Sequence, residues 1–242
     1  NIKKAKNDNN IVGIYMEPYY LSAGIGTIEE IRNALIDFKE SGKFIISYSE
    51  IYTQSAYYLA SVSDKIYLNP TGEVPLYGIG ARILFLKDAM DRLGIEAQII
   101  RHGAYKSAFE PLMYNKMSAE NREQTLTWVK SIWDHLLQGI SKERNIPVTT
   151  LNSLADNLTL KSAEDVLKYK LVDSLLYKDE VLNKLKDLTG TAAKNDLNSI
   201  SLRRYTKVPK TRDYKGLARD KIAVIYAHGN VVMGNMGDVN QL

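Results

Sequence analysis

Among the 242 residues there is no cysteine. Disulfides, thiolate catalysis and zinc sites built on Cys are thereby excluded, while the redox compartment is left open. Long apolar runs are missing as well. None reaches the ~18 residues that a membrane-spanning helix needs, and no basic-then-apolar leader stands at the start. The three histidines, His102, His135 and His228, have no metal-ligand spacing with one another or with a carboxylate pair, which argues against zinc. G-x-S-x-G, a Walker loop and a strand-linked G-x-G-x-x-G are all absent; Gly24-Ile-Gly26 lacks the rest of a dinucleotide fingerprint and reads as a turn. Charge of one sign is not massed either. Lys and Arg number 32 against 28 Asp and Glu, for a net +4, and the basic residues are scattered with no nucleic-acid motif among them.

What remains is an ordinary globular composition, with 45% hydrophobic and 25% charged residues. Its length suits one large domain or two small ones. Short apolar runs alternate with amphipathic stretches, the pattern of an α/β layer fold with parallel strands and flanking helices. Strands are predicted at Ile11–Met16, Phe44–Ser49, Lys65–Asn69 (closed by Pro70) and Ile95–Ile100. A helix is predicted from Thr27, with Thr27 and Glu30 at capping-box spacing, an apolar stripe of Ile28, Ile31, Leu35 and Phe38, and Gly42 at its end. Thr53–Ser61 reads as a short helix. Residues 81–93 read as another, with Ile83, Leu84, Leu86, Ala89, Met90 and Leu93 buried and Gly94 as its stop. A long helix follows to Asn145 with Ser118 as its cap, and further helices run from Pro147 to Gly190.

Residues 1–190 are therefore expected to form one domain. Residues 191–219 are polar, with Pro209 and two arginine-bearing patches, and read as a linker or extended arm. Ile222–Tyr226 then opens a second domain, at 220–242. Because Asn1–Asn10 reads as the tail of a helix and Gly229–Asp238 follows a freshly started strand, the chain is expected to be a piece of something longer.

Lys106 carries the most chemistry per residue. It follows a predicted strand and a glycine, within His102-Gly-Ala-Tyr-Lys-Ser-Ala-Phe-Glu-Pro111. A lysine is ordinarily a solvated surface charge, and here Glu110 is available as an ion-pair partner. A desolvated lysine, with its pKa brought toward ~7–8, acts instead as a general base, and its natural partner is a serine hydroxyl attacking a carbonyl. Ser55, at the start of the Thr53–Ser61 helix, is a weak candidate, since serine there more often caps. His135 beside Trp133 reads as packing or surface, and His102 lacks the third partner of a triad. Tyrosines number 16 against 4 phenylalanines. Tyr57 and Tyr58 read as core packing, and so many half-polar aromatics favour subunit contacts.

Taken together, Tyr105-Lys-Ser-Ala-Phe-Glu-Pro111 after His102-Gly103, and Gln54-Ser-Ala-Tyr-Tyr-Leu-Ala-Ser61 running into Asp64-Lys-Ile-Tyr-Leu-Asn-Pro70, resemble the signal peptide peptidase A (protease IV) family. Met117-Ser-Ala-Glu-Asn-Arg122, Lys170-Leu-Val-Asp173 and Ile222–Gly237 extend the likeness to the amino-terminal half of its long, two-domain form. The resemblance implies a crotonase-like (ClpP-type) α/β fold, duplicated in the long form. It also implies a membrane-anchored serine peptidase with a Ser/Lys dyad, cleaving signal-peptide remnants at the bacterial inner membrane with its catalytic part facing the periplasm. No metal or organic cofactor is implied. The expected partners are peptides and other copies of the chain in a homotetramer, the anchor lying outside these residues. Lys106 falls on the family's general base. At the family's nucleophile position, in a turn reading Ala-Ser-Gly-Gly-Tyr-Tyr in the second domain, this sequence has Gln54, so the serine is expected beyond Leu242. Two other readings stand beside this one: a non-catalytic scaffold for assembly, and an acyl-CoA enzyme of the crotonase type.

Overall fold

A computed structural model describes residues 1–209; the predicted strand Ile222–Tyr226 and the second domain at 220–242 lie outside the described residues. In chain order the elements are α1 (Ile2–Lys6), β1 (Gly13–Met16), α2 (Ile25–Lys39), β2 (Phe44–Ile51), α3 (Gln54–Ala60), β3 (Lys65–Glu73), α4 (Lys87–Arg92), α5 (Glu110–Met113), α6 (Ala119–Arg144), α7 (Val148–Asp156), α8 (Ala163–Lys168), β4 (Ser174–Leu175), α9 (Lys178–Thr189) and α10 (Leu202–Tyr205). The strands form one parallel sheet in the order β1-β2-β3-β4. Both faces of that sheet are covered, which explains why its strands read as nearly continuous apolar runs. Strand alternation divides their side chains. Ile45, Ile66 and Leu68 join the large core with α2, α3, α6, α7 and α8, while Ile46, Tyr48 and Tyr67 meet Val181 and Leu185 of α9.

Pro70 does not end its strand. Pairing with β2 passes from Ser49↔Leu68 to Ile51↔Glu73, so β3 bulges between those two registers. Pro70 sits where the ladder asks for no N–H. Asn69 supports the bulge through its side-chain oxygen, which accepts from Thr71 N–H at 3.0 Å and from the Thr71 hydroxyl at 2.9 Å. Gly72 is required by close approach, because a Cβ there would lie 2.3 Å from the Glu50 carbonyl.

Other predictions need correction. Helix α2 starts at Ile25 with Gly24 as its cap and no side-chain capping bond, so the Thr27/Glu30 box is not used. Its buried stripe is Ile28, Arg32, Leu35 and Phe38, with Ile31 exposed. Arg32 takes a place in the apolar face because it is fully engaged there. It donates to the Tyr58 carbonyl, the Ser61 hydroxyl and the Gly139 carbonyl, the last at 2.8 Å. The helix predicted over 81–93 shrinks to α4, which buries nothing; Leu84 is 75% exposed and Leu93 is 73% exposed. Ile95–Ile100 pairs with no strand among the described residues. Apolar periodicity reports that a face wants covering, and the described residues supply no layer to cover it. The two-residue β4 escaped prediction because it is too short to show a period.

Asn1–Val208 make one compact unit. Within the expected arm, α10 packs on α1. Lys4 Nζ donates to the Tyr205 and Val208 carbonyls at 2.5 and 2.8 Å, and the buried Tyr205 donates its hydroxyl to Asp8 at 2.9 Å. Among the described residues no helix is long and apolar enough to cross a membrane.

Candidate active site

Past the unpaired stretch, the chain turns at Gly103, whose φ of +96° lies in the left-handed region that favours glycine. Lys106 N–H donates to the Gly103 carbonyl at 3.4 Å and closes the turn. Its own carbonyl accepts from Arg101 Nη1, also at 3.4 Å. The lysine side chain is exposed, and among the described residues Lys106 hydrogen-bonds through its backbone alone.

The ion pair with Glu110 does not form. Glu110 is completely buried and faces the start of α6. Its carboxylate accepts from the Ser118 hydroxyl at 2.6 Å, from Ser118 N–H at 3.3 Å and from Asn121 Nδ2 at 2.8 Å, and Arg101 Nη1 lies 3.6 Å away. Burial pushes its pKa up, but the Ser118 and Asn121 hydrogen bonds and the Arg101 charge outweigh burial and hold it below the ordinary carboxylate value. Ser118 caps α6 as the sequence predicts, accepting from Asn121 N–H at 3.1 Å. Tyr105 donates to Glu123 of α6 at 3.1 Å, a second tie between this turn and the helix. Beside it runs an open groove of about 810 Å³ lined by Arg101, Met113, Tyr114, Lys116, Ser118 and Glu120, among others.

At the start of α3 the cap is Thr53, whose side chain accepts from Ala56 N–H. Gln54 is fully engaged: its Oε1 accepts from Tyr77 N–H at 2.8 Å and Gly78 N–H at 3.1 Å, while Nε2 donates to the Gly78 carbonyl at 3.0 Å. Ser55 is half-buried, and its hydroxyl lies 3.4 Å from that of Thr53. No hydrogen bond joins Ser55 to Lys106 among the described residues. Tyr57 and Tyr58 are core residues as predicted. His102 is exposed. His135 Nε2 lies 3.2 Å from both Glu29 and the Tyr58 hydroxyl, tying α6 to α2 and α3. The described residues bring no three His, Cys, Asp or Glu side chains within reach of one metal ion. Sequence reasoning missed the roles of Glu110, Arg101 and Gln54. The one signal available was an acid directly before Pro111, eight residues ahead of the Ser118 cap.

Residues 37–192 match the family described as Peptidase family S49. The chain belongs to that family. Its mixed α/β layers fit the crotonase-like, ClpP-type class expected of an S49 member, as far as the described residues go. The match spans α3, the Lys106 turn, Glu110 and α6. Protease 4 of Haemophilus influenzae is 31% identical over 248 aligned positions, covering 99% of this chain and 40% of that protein. Protease 4 of Salmonella typhi is 34% identical, covering 96% and 38%. The chloroplastic serine protease SPPA of Arabidopsis thaliana is 32% identical, covering 96% and 34%. These relatives bear out the likeness to protease IV drawn from the residues. The chain spans about two-fifths or less of their length.

Proposed function

We propose that this S49 chain supplies the general base, Lys106, of a serine peptidase whose nucleophilic serine belongs to another part of a longer polypeptide. The observation that carries this reading is the contrast between two turns. The Lys106 turn is tied to α6 on both sides while its amine stays uncommitted among the described residues. The α3 turn holds Gln54 where the family likeness puts a nucleophile, and the carboxamide is consumed by the Tyr77–Gly78 backbone.

In this mechanism the neutral Lys106 amine takes the proton from the serine hydroxyl as the oxygen attacks a peptide carbonyl. Backbone N–H groups stabilise the oxyanion. Collapse of the tetrahedral adduct breaks the C–N bond, and the lysine ammonium returns its proton to the departing amine. Water then attacks the acyl-enzyme, losing a proton to Lys106. Collapse of this second adduct breaks the ester C–O bond and frees the new carboxyl end, and the lysine returns the proton to the serine oxygen. Lys106 is exposed here, so the surface that brings the serine must also exclude water from the amine. The substrates are signal-peptide remnants and similar peptides. The working form is a homo-oligomer, a tetramer, anchored at the bacterial inner membrane with its catalytic part toward the periplasm.

The decisive variant is Lys106→Ala in the full-length polypeptide carrying this sequence. Loss of the base should lower kcat by about 10²–10⁴-fold, with assembly unchanged. Full peptidase activity with normal assembly would instead favour the scaffold reading. That reading draws on the exposed Leu84, Leu93, Ile95 and Ile100, an apolar surface suited to subunit contact.

A further inference from the structure

We propose that Arg101 and Glu110 are positioning residues for Lys106, together clasping the lysine-bearing turn onto the N-terminus of α6. This proposal rests on the reading of Lys106 as the base. Capping alone does not account for Glu110. Ser118 already caps α6 through Asn121 N–H, and a buried carboxylate must be paid for by several good partners. What the carboxylate adds is attachment of the preceding turn. Glu110 N–H donates to the Ser107 carbonyl at 3.0 Å, which passes the anchor to the residue beside the lysine.

Arg101 closes the other side. Its Nη1 stands 3.6 Å from Glu110 Oε1 and 3.4 Å from the Lys106 carbonyl, and its Nη2 donates to the Tyr114 hydroxyl at 3.2 Å. Nη1 thus faces both the buried acid and the lysine's own peptide while Nη2 holds the Tyr114 hydroxyl, a two-armed arrangement that an ammonium, with its one nitrogen, does not reproduce. Acid and base compensate each other, so the clasp adds no net charge to the turn. The Tyr105–Glu123 bond holds the residue on the far side. The backbone around Lys106 is therefore fixed while the side chain is left free. For a flexible four-carbon stem, a fixed root is what makes a productive approach to a hydroxyl frequent.

The test uses the full-length polypeptide with Glu110→Ala, Glu110→Gln, Arg101→Met and Arg101→Lys, read by two measurements. Amide hydrogen exchange of peptides covering residues 102–109 should quicken about tenfold in Glu110→Ala and Arg101→Met as the turn opens more often. In the same two variants kcat should fall about 10- to 100-fold at unchanged KM. Glu110→Gln, which keeps an acceptor for Ser118 and Asn121, should restore part of the loss, whereas Arg101→Lys should not. Should Glu110→Ala fail to fold, Arg101→Met, altering a partly exposed side chain, carries the test. Unchanged exchange in the folded variants, or a loss confined to KM, would overturn the clasp. Lys106→Ala judges the underlying reading separately: full activity there removes the base, and with it any positioning role, whatever the exchange rates show.

Discussion

Lys106 and Glu110 stand four residues apart in opposite surroundings: the cation is exposed and the acid is sealed. Ordinary expectation is the reverse for neither, since both types belong at the surface unless partnered. Glu110 is partnered four ways, whereas the Lys106 amine has no hydrogen-bond partner among the described residues. The same contrast governs the serine nearest the family's nucleophile position. Among the described residues the Ser55 hydroxyl has only that of Thr53 within reach, with no base to take its proton. The purified 242-residue chain should therefore not hydrolyse a peptide ester, and Ser55→Ala should shift stability by no more than about 0.5 kcal/mol in urea unfolding. Turnover by the chain alone that disappears in Ser55→Ala would make Ser55 the nucleophile and sink the division of labour proposed above.

Elements are locked together by a few close approaches. Helix α6 crosses α3 at Gly139, where an added Cβ would lie 2.4 Å from the Tyr58 ring. That ring cannot swing aside, because its hydroxyl is bound by Glu29 and His135 and Arg32 lies over its face. Alanine is the better helix former by about 1 kcal/mol, but overpacking a fixed ring costs about 1–3 kcal/mol. Gly139→Ala should thus lower the urea midpoint with an unchanged m-value. A higher midpoint would mean that the ring yields and that α3 and α6 are less tightly joined than their contacts indicate. In the region of α4 the opposite holds. No close approach fixes its apolar side chains among the described residues, and the regular helix there is only six residues long.

Across the whole unit, three carboxylates tie separate elements together: Glu17 binds Lys178, Glu29 binds Tyr58 and His135, and Glu110 binds Ser118 and Asn121. In each, burial pushes the pKa up and is outweighed by hydrogen bonds and nearby cations, so the folded value lies below the ordinary 4.5. The unfolded chain then binds more protons than the folded one in the window below 4.5. The stabilisation is present in full above that window and is lost as pH falls through the lower, folded values. Thermal unfolding followed from pH 6 to pH 3 should show Tm falling most steeply below about pH 4.5. The fall should be shallower in Glu29→Gln and Glu110→Gln. Parallel curves for wild type and both variants would show that these acids do not set the acid limit.

The sequence by itself determined the parallel strands at β1, β2 and β3, the Thr53–Ser61 helix, the Ser118 cap and long α6, and the tyrosine core. In each case the information is local: a period, a cap or a breaker within a few residues. Lys106 was legible as a candidate because its neighbours and the family likeness both point to it. Only the tertiary structure decided that Arg32 rather than Ile31 faces inward, since its acceptors come from α3 and α6, 26 to 107 residues away. It alone showed that Pro70 lies in a bulge, that the apolar face of 81–100 is left uncovered among the described residues, and that Glu110 turns from Lys106 to the helix behind it. A charge is buried or exposed according to which partners the fold delivers, and partners delivered from far along the chain leave no local pattern to read.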